Sequence, residues 1–124
     1  MATKIKSLRP SLREKKRYMV FEILSRQPVS ESEASDAIWK GCLGHIGELG
    51  MAKAGITILH DRWRQDPQQG VIRVSHTQTS HIRSALSLVR EAGGKQATFS
   101  TIGMSGILDK ASKNFMDKAP VKNR

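Results

Sequence analysis

The chain has 124 residues, 38% hydrophobic and 26% charged, with a formal net charge of +10, enough apolar material for one modest core and too little for several domains. No stretch approaches the roughly 18 uncharged apolar residues of a membrane span, and the N-terminus lacks the apolar run of a secretion signal, so a soluble, cytoplasmic protein with no membrane partner is expected. Cys42 is the only cysteine, which excludes an internal disulfide and a multi-cysteine zinc site and leaves a small apolar side chain on a helix.

Residues 1–7 are polar and lysine-rich without periodicity and are expected to form a disordered basic arm. One folded domain is expected over 8–115, followed by a disordered basic tail over 116–124. Arg17 to Gln27 alternates as a strand, with Met19, Phe21 and Ile23 on one face and Tyr18, Val20 and Leu24 with Glu22 on the other. Pro28 stops it. Ser30 and Glu33 have capping-box spacing, and Ala34, Ala37, Ile38 and Cys42 recur at helical intervals, so a first helix starts there. Glycines at 41, 44, 47 and 50 weaken it and place its end by Gly50, or mark close packing against a neighbour.

A second strand is expected over Gly55 to Arg64 and a third over Val71 to His76, joined by the turn-forming Gln65-Asp66-Pro67-Gln68-Gln69-Gly70 into an antiparallel hairpin. Thr77 or Thr79 caps a second helix whose Ile82, Ala85, Leu86 and Val89 fall in phase and which ends at Gly93-Gly94. Lys95 to Ile102 reads as a fourth strand, and a last helix from about Ser105 sets Leu108, Ala111 and Phe115 in phase. The fold class is therefore α+β: a split βαβ sandwich of the ferredoxin-like, RNA-recognition-module-like kind. It has a four-stranded antiparallel sheet, helices on one face and an appended C-terminal helix. That order serves many functions and assigns none.

Charge is more telling than fold. Residues 1–17 carry seven lysines and arginines against Glu14, and residues 110–124 carry five against Asp117, while the interior from 18 to 109 balances nine bases with nine acids. Basic ends on a neutral body suit a protein that grips phosphates, since each engaged cation releases counterions. Solubilising tails are the bland alternative, and an anionic membrane is disfavoured because the ends lack an apolar face.

No catalytic or metal-binding constellation stands out. His45, His60, His76 and His81 are scattered, and no pair has the spacing of a helical zinc motif. Glu22, Asp61, Asp66 and Asp109 follow no rule that predicts a magnesium site, and Gly41, Gly44 and Gly47 lack the strand and the lysine of a phosphate loop. On the third strand only Arg73 and Ser75 face outward, so stacking of splayed bases is disfavoured against contacts to the outside of a folded RNA. Trp39 and Trp63 are expected as core anchors, with a partner interface as the alternative.

Three segments carry a resemblance. Leu8-Arg9-Pro10-Ser11-Leu12-Arg13-Glu14-Lys15-Lys16-Arg17-Tyr18 runs into a strand; Gly70-Val71-Ile72-Arg73-Val74-Ser75-His76 precedes a helix with Ala85-Leu86; and Gly103-Met104-Ser105-Gly106-Ile107-Leu108-Asp109-Lys110-Ala111 opens the last helix. In order and spacing they resemble the small protein subunit of archaeal and eukaryotic-type ribonuclease P, the component 2 family. The resemblance implies a split βαβ fold and a subunit of an endoribonuclease that removes the 5′ leader of precursor tRNA. The RNA would carry the Mg2+-dependent cleavage, and the isolated chain would be neither catalytic nor bound to a cofactor. It implies as partners the ribonuclease P RNA and a larger barrel-shaped protein subunit, with a homodimer inside the complex also allowed and precursor tRNA as the holoenzyme's substrate. Carried onto this chain, the RNA-facing residues are Arg9, Arg13, Lys15, Lys16 and Arg17, then Arg73, His76, Arg83 and Lys110, and the helix from Ser30 to about Gly50 faces protein. Ile107 and Asp109 depart from the family's usual threonine and basic residue, which puts a phosphate contact at that turn in doubt. A basic ribosome-associated protein, another RNA-binding protein and a ligand-sensing regulatory domain of the same fold remain alternatives.

Overall fold

The structure, a computed structural model, describes residues 15–116. The expected arm over 1–7, Arg9 and Arg13, and positions 117–124 of the expected tail lie outside them.

β1 (Lys16–Ser25) forms the middle of the sheet because apolar residues line both its faces: Met19, Phe21 and Ile23 on one, Tyr18 and Val20 on the other. It pairs antiparallel with β3 (Gln69–Ser75) on one side and β5 (Lys95–Ser105) on the other. β2 (Thr57–Ile58) lies outside β3 and β4 (Glu91–Ala92) outside β5, giving the order β2-β3-β1-β5-β4. Among the described residues the sheet thus has five strands where four are expected. Glu91 and Ala92, read from sequence as the end of a helix, instead pair with Gln96 and Lys95. The turn between them is Gly93-Gly94, with φ of 59° and 78°, the positive values that a tight two-residue hairpin needs.

The hairpin of β2 and β3 is present, with Thr57 opposite Arg73 and Ile58 opposite Ile72, but the long second strand is not. After Leu59 the chain turns into a 3-10 segment, His60–Arg62. There His60 meets the Glu31 carboxylate, and Arg62 donates to Ser112 Oγ (3.2 Å) and Asp109 Oδ1 (3.3 Å). These tertiary partners outweigh the local alternation.

α1 (Glu31–Ala54) begins at the expected capping box: Ser30 Oγ accepts from Glu33 N–H and Ser30 N–H donates to Glu33 Oε1. It does not end by Gly50. The chain breaks helical geometry at Gly47, with φ 74° and ψ 177°, resumes, and is closed by Gly55 in the left-handed conformation. α2 (Thr79–Leu88) stops before Gly93, yet Ile82, Ala85, Leu86 and Val89 are buried as their spacing predicts.

α1 and α2 cover one sheet face, over a core in which the rings of Phe21 and Phe99 stand 6.1 Å apart and Ile38, Ile72, Ile82 and Leu86 are sealed from solvent. Cys42 lies in this core. Trp63 joins its edge beside Phe21, whereas Trp39 is 49% exposed and is not a core anchor. α3 (Leu108–Phe115) lies on the opposite face, where Leu108, Ala111, Phe115 and Met116 pack with Val20, Val71, Tyr18 and Leu59. Ser105 stays in β5, so this helix starts later than expected. Among the described residues no helix is long and apolar enough to cross a membrane.

Candidate nucleic-acid interface

The sheet brings the N-terminal basic segment to the end of β3. Lys16 stands opposite Ser75, Arg17 opposite Val74 and Tyr18 opposite Arg73. His76 N–H donates to the Lys15 carbonyl at 2.9 Å, and the His76 ring nitrogen Nδ1 lies 3.1 Å from the same oxygen. Two segments some 60 residues apart in sequence are thereby locked in register.

The third segment joins the same end of the sheet. Tyr18 is also opposite Ser105 of β5, and the Arg17 guanidinium lies 2.9 Å from where a Cβ on Gly106 would project. Gly103, read from sequence as lying just past the fourth strand, sits in β5, and the Phe115 ring fills the space that its side chain would need. Only a residue without a Cβ lets α3 lie this close. Lys16 reaches toward Gly55 at the C-terminal end of α1, where a cation is favoured by the helix dipole.

Lys15, Lys16, Arg17, Arg73 and His76 therefore share one end of the molecule. Lys15, Arg17 and His76 are exposed, and Arg73 is half-buried with its Nε lacking a hydrogen-bond partner. Arg83 is exposed on α2 and Lys110 on α3, and among the described residues neither bonds to the five. Arg62 was not singled out from sequence, because its partners Asp109 and Ser112 are 47 and 50 residues away. It ties α3 to the 3-10 segment that follows β2 and pairs with the Asp109 carboxylate at 3.3 Å.

Glu33 is held below the usual carboxylate value by the Ser30 backbone N–H and by Lys95, and burial pushes the Cys42 thiol up to about 11. Neither belongs to the basic end. Among the described residues no group of three or more His, Cys, Asp or Glu stands together as a metal site.

The model of the Rpp14/Pop5 family matches residues 17–116. The chain belongs to the Rpp14/Pop5 family. Its relatives include the ribonuclease P protein component 2 of Thermococcus gammatolerans, 37% identical over 94% of this chain and 95% of that protein. That of Pyrococcus furiosus is 32% identical over 95% and 97%, and that of Methanosarcina mazei 31% over 90% and 93%. Among solved structures, a chain of the cryo-EM structure of yeast ribonuclease MRP superimposes with a TM-score of 0.60 at 18% identity, covering 77% of each chain. That likeness concerns the fold. The family match begins at Arg17, so within the described residues it takes in all but Lys15 and Lys16 of the basic end.

Proposed function

We propose that this member of the Rpp14/Pop5 family is a protein subunit of ribonuclease P and supports its RNA in removing the 5′ leader of precursor tRNA. The observation that carries the reading is the meeting of three distant segments, around Lys15–Arg17, Arg73–His76 and Gly103–Gly106, at one cationic end of the sheet. The full-length similarity to proteins named ribonuclease P protein component 2 supports it independently. With the two-residue β4 set aside, the order β2-β3-β1-β5 favours the split βαβ reading of the fold.

In this account Lys15, Lys16, Arg17, Arg73 and His76 hold phosphates, and Arg9, Arg13, Arg83 and Lys110 extend the contact. α3 covers the sheet face around Tyr18 and Val20, so bases have no platform there and the grip is on the outside of a folded RNA. The RNA with Mg2+ carries the hydrolysis; the chain alone cleaves nothing and holds no cofactor. Trp39 and Leu49, exposed on α1, offer apolar surface to the larger barrel-shaped subunit, and a second copy of the chain is a further partner. The complex acts on precursor tRNA in the cytoplasm.

Binding to ribonuclease P RNA across a salt series tests the grip. The five N-terminal cations Arg9, Arg13, Lys15, Lys16 and Arg17 contribute about −3.5 to −4.5 to the log-log slope, and Lys15→Gln with Arg17→Gln flattens it by about 1.4 to 1.8. An unchanged slope would remove this end of the sheet from the RNA interface.

A further inference from the structure

Among the described residues, the outer edge of β5 is the one long stretch of this sheet whose pairing stops short. On its inner side β5 is matched with β1 from Ala97 to Ser105, whereas β4 covers only Lys95 and Gln96 on the outer side. Ala97 N–H points outward, donating to the Arg90 carbonyl at 2.9 Å. A strand's backbone groups alternate sides residue by residue, so the N–H and C=O of Phe99 and Thr101 point outward too. The register agrees: Ile23, opposite Phe99, sends its own N–H away to Gln68 O on the β3 side. Among the described residues no strand lies along this edge beyond Gln96.

Exposed edges are normally guarded by charge or proline. In a chain with 26% charged residues, positions 96–108 contain no Asp, Glu, Lys, Arg or Pro. Two isoleucines flank the open stretch in solvent: Ile102 at the bulge opposite Val20 and Phe21, and Ile107 just past the strand, 37% and 55% exposed. The Thr101 hydroxyl is buried without a hydrogen-bond partner. The strand itself offers an RNA backbone no cation; Arg26 and Arg90 adjoin only its Thr98 end, and Arg17 only the Gly106 end. A peptide backbone finds N–H and C=O groups in strand spacing with apolar side chains beside them, the chemistry of strand addition.

We infer that the β5 edge from Thr98 to Ser105 receives an extended, uncharged strand of another protein subunit, which continues the sheet where β4 leaves off. The naming of that partner as part of ribonuclease P rests on the function proposed above; the edge itself does not.

The test is residue-resolved amide exchange on the full chain, first alone and then in the native assembly purified from cells through this chain. Phe99 and Thr101 amides are expected to exchange at least tenfold more slowly in the assembly, while Thr98 and Ser100, which face β1, change little. Ile102→Lys, at an exposed position, is expected to lower the amount of the protected partner tenfold with the chain still folded; Thr98→Lys gives the same reading should Ile102→Lys perturb the bulge. Equal exchange at Phe99 and Thr101 with and without partners would overturn the inference, as would an assembly without other proteins. Protection that appears in the isolated chain on raising its concentration would assign the edge to a second copy and overturn it as well. An assembly that protects Phe99 and Thr101 but lacks ribonuclease P RNA would uphold the edge and refute the proposed function.

Discussion

At Gly103 the sheet and α3 approach so closely that the Phe115 ring takes the place of a side chain. Gly103→Ala must push the ring and its helix outward, at an expected cost of about 1 to 3 kcal/mol. Urea unfolding reads it as a lower midpoint; an unshifted midpoint would mean that α3 gives way freely. Cys42 makes the opposite kind of statement. It is sealed in the core with its thiol pushed up to about 11, so neither access nor a thiolate is available at neutral pH. Iodoacetamide should modify the native chain at least about a hundredfold more slowly than the urea-unfolded chain, because reaction waits for an opening. Comparable rates would mean that the α1 side of the core opens readily.

Among elements, a charged contact holds the junction of α1 with the β4–β5 hairpin. Lys95 Nζ donates to Glu33 Oε1 at 3.0 Å and to the Pro28 carbonyl at 2.8 Å, while Glu33 also caps the helix. Because the folded value of Glu33 lies below its ordinary 4.5, its contribution is present in full above pH 4.5 and is lost as pH falls through the lower folded value. Glu33→Gln should therefore be less stable than the parent at neutral pH, with the gap closing in acid; a gap independent of pH would assign the loss to packing alone. The same junction explains which elements could be read from sequence. Ser30 and Glu33 announce the start of α1 locally, so the start was legible. Its end was not, since Gly47 absorbs a break that a helix usually cannot survive, and the chain resumes to Gly55. Gly93-Gly94 reads as a helix stop; in the structure its two positive φ values turn the chain into the β4–β5 hairpin, which the Glu33–Lys95 contact fastens to α1. The spacing of Leu108, Ala111 and Phe115 gives the buried face of α3 but not the sheet face it covers, which depends on Gly103 and on Arg62. Within the site the cations were visible as residue types, and the resemblance grouped them; that Lys15 and His76 are bonded neighbours is a product of the β1–β3 register.

For the molecule as a whole, the charge pattern and the fold divide the surface. The neutral interior of the sequence builds the sheet and its two covered faces, and the described part of the basic N-terminal segment enters that sheet at the end where β3 finishes. The same sheet has a β5 edge whose own residues from Gln96 to Leu108 carry no charge, and α1 exposes Trp39 and Leu49. That division supports the role proposed for this chain in ribonuclease P, a scaffold that would grip RNA at one end and protein elsewhere. The most direct measurement purifies the native assembly through this chain, sequences its RNA, and assays it on precursor tRNA. The account predicts one structured RNA, a larger protein partner and removal of the 5′ leader, all lost when the RNA is digested. Ribosomal RNA, or no RNA, with the precursor left intact would contradict it.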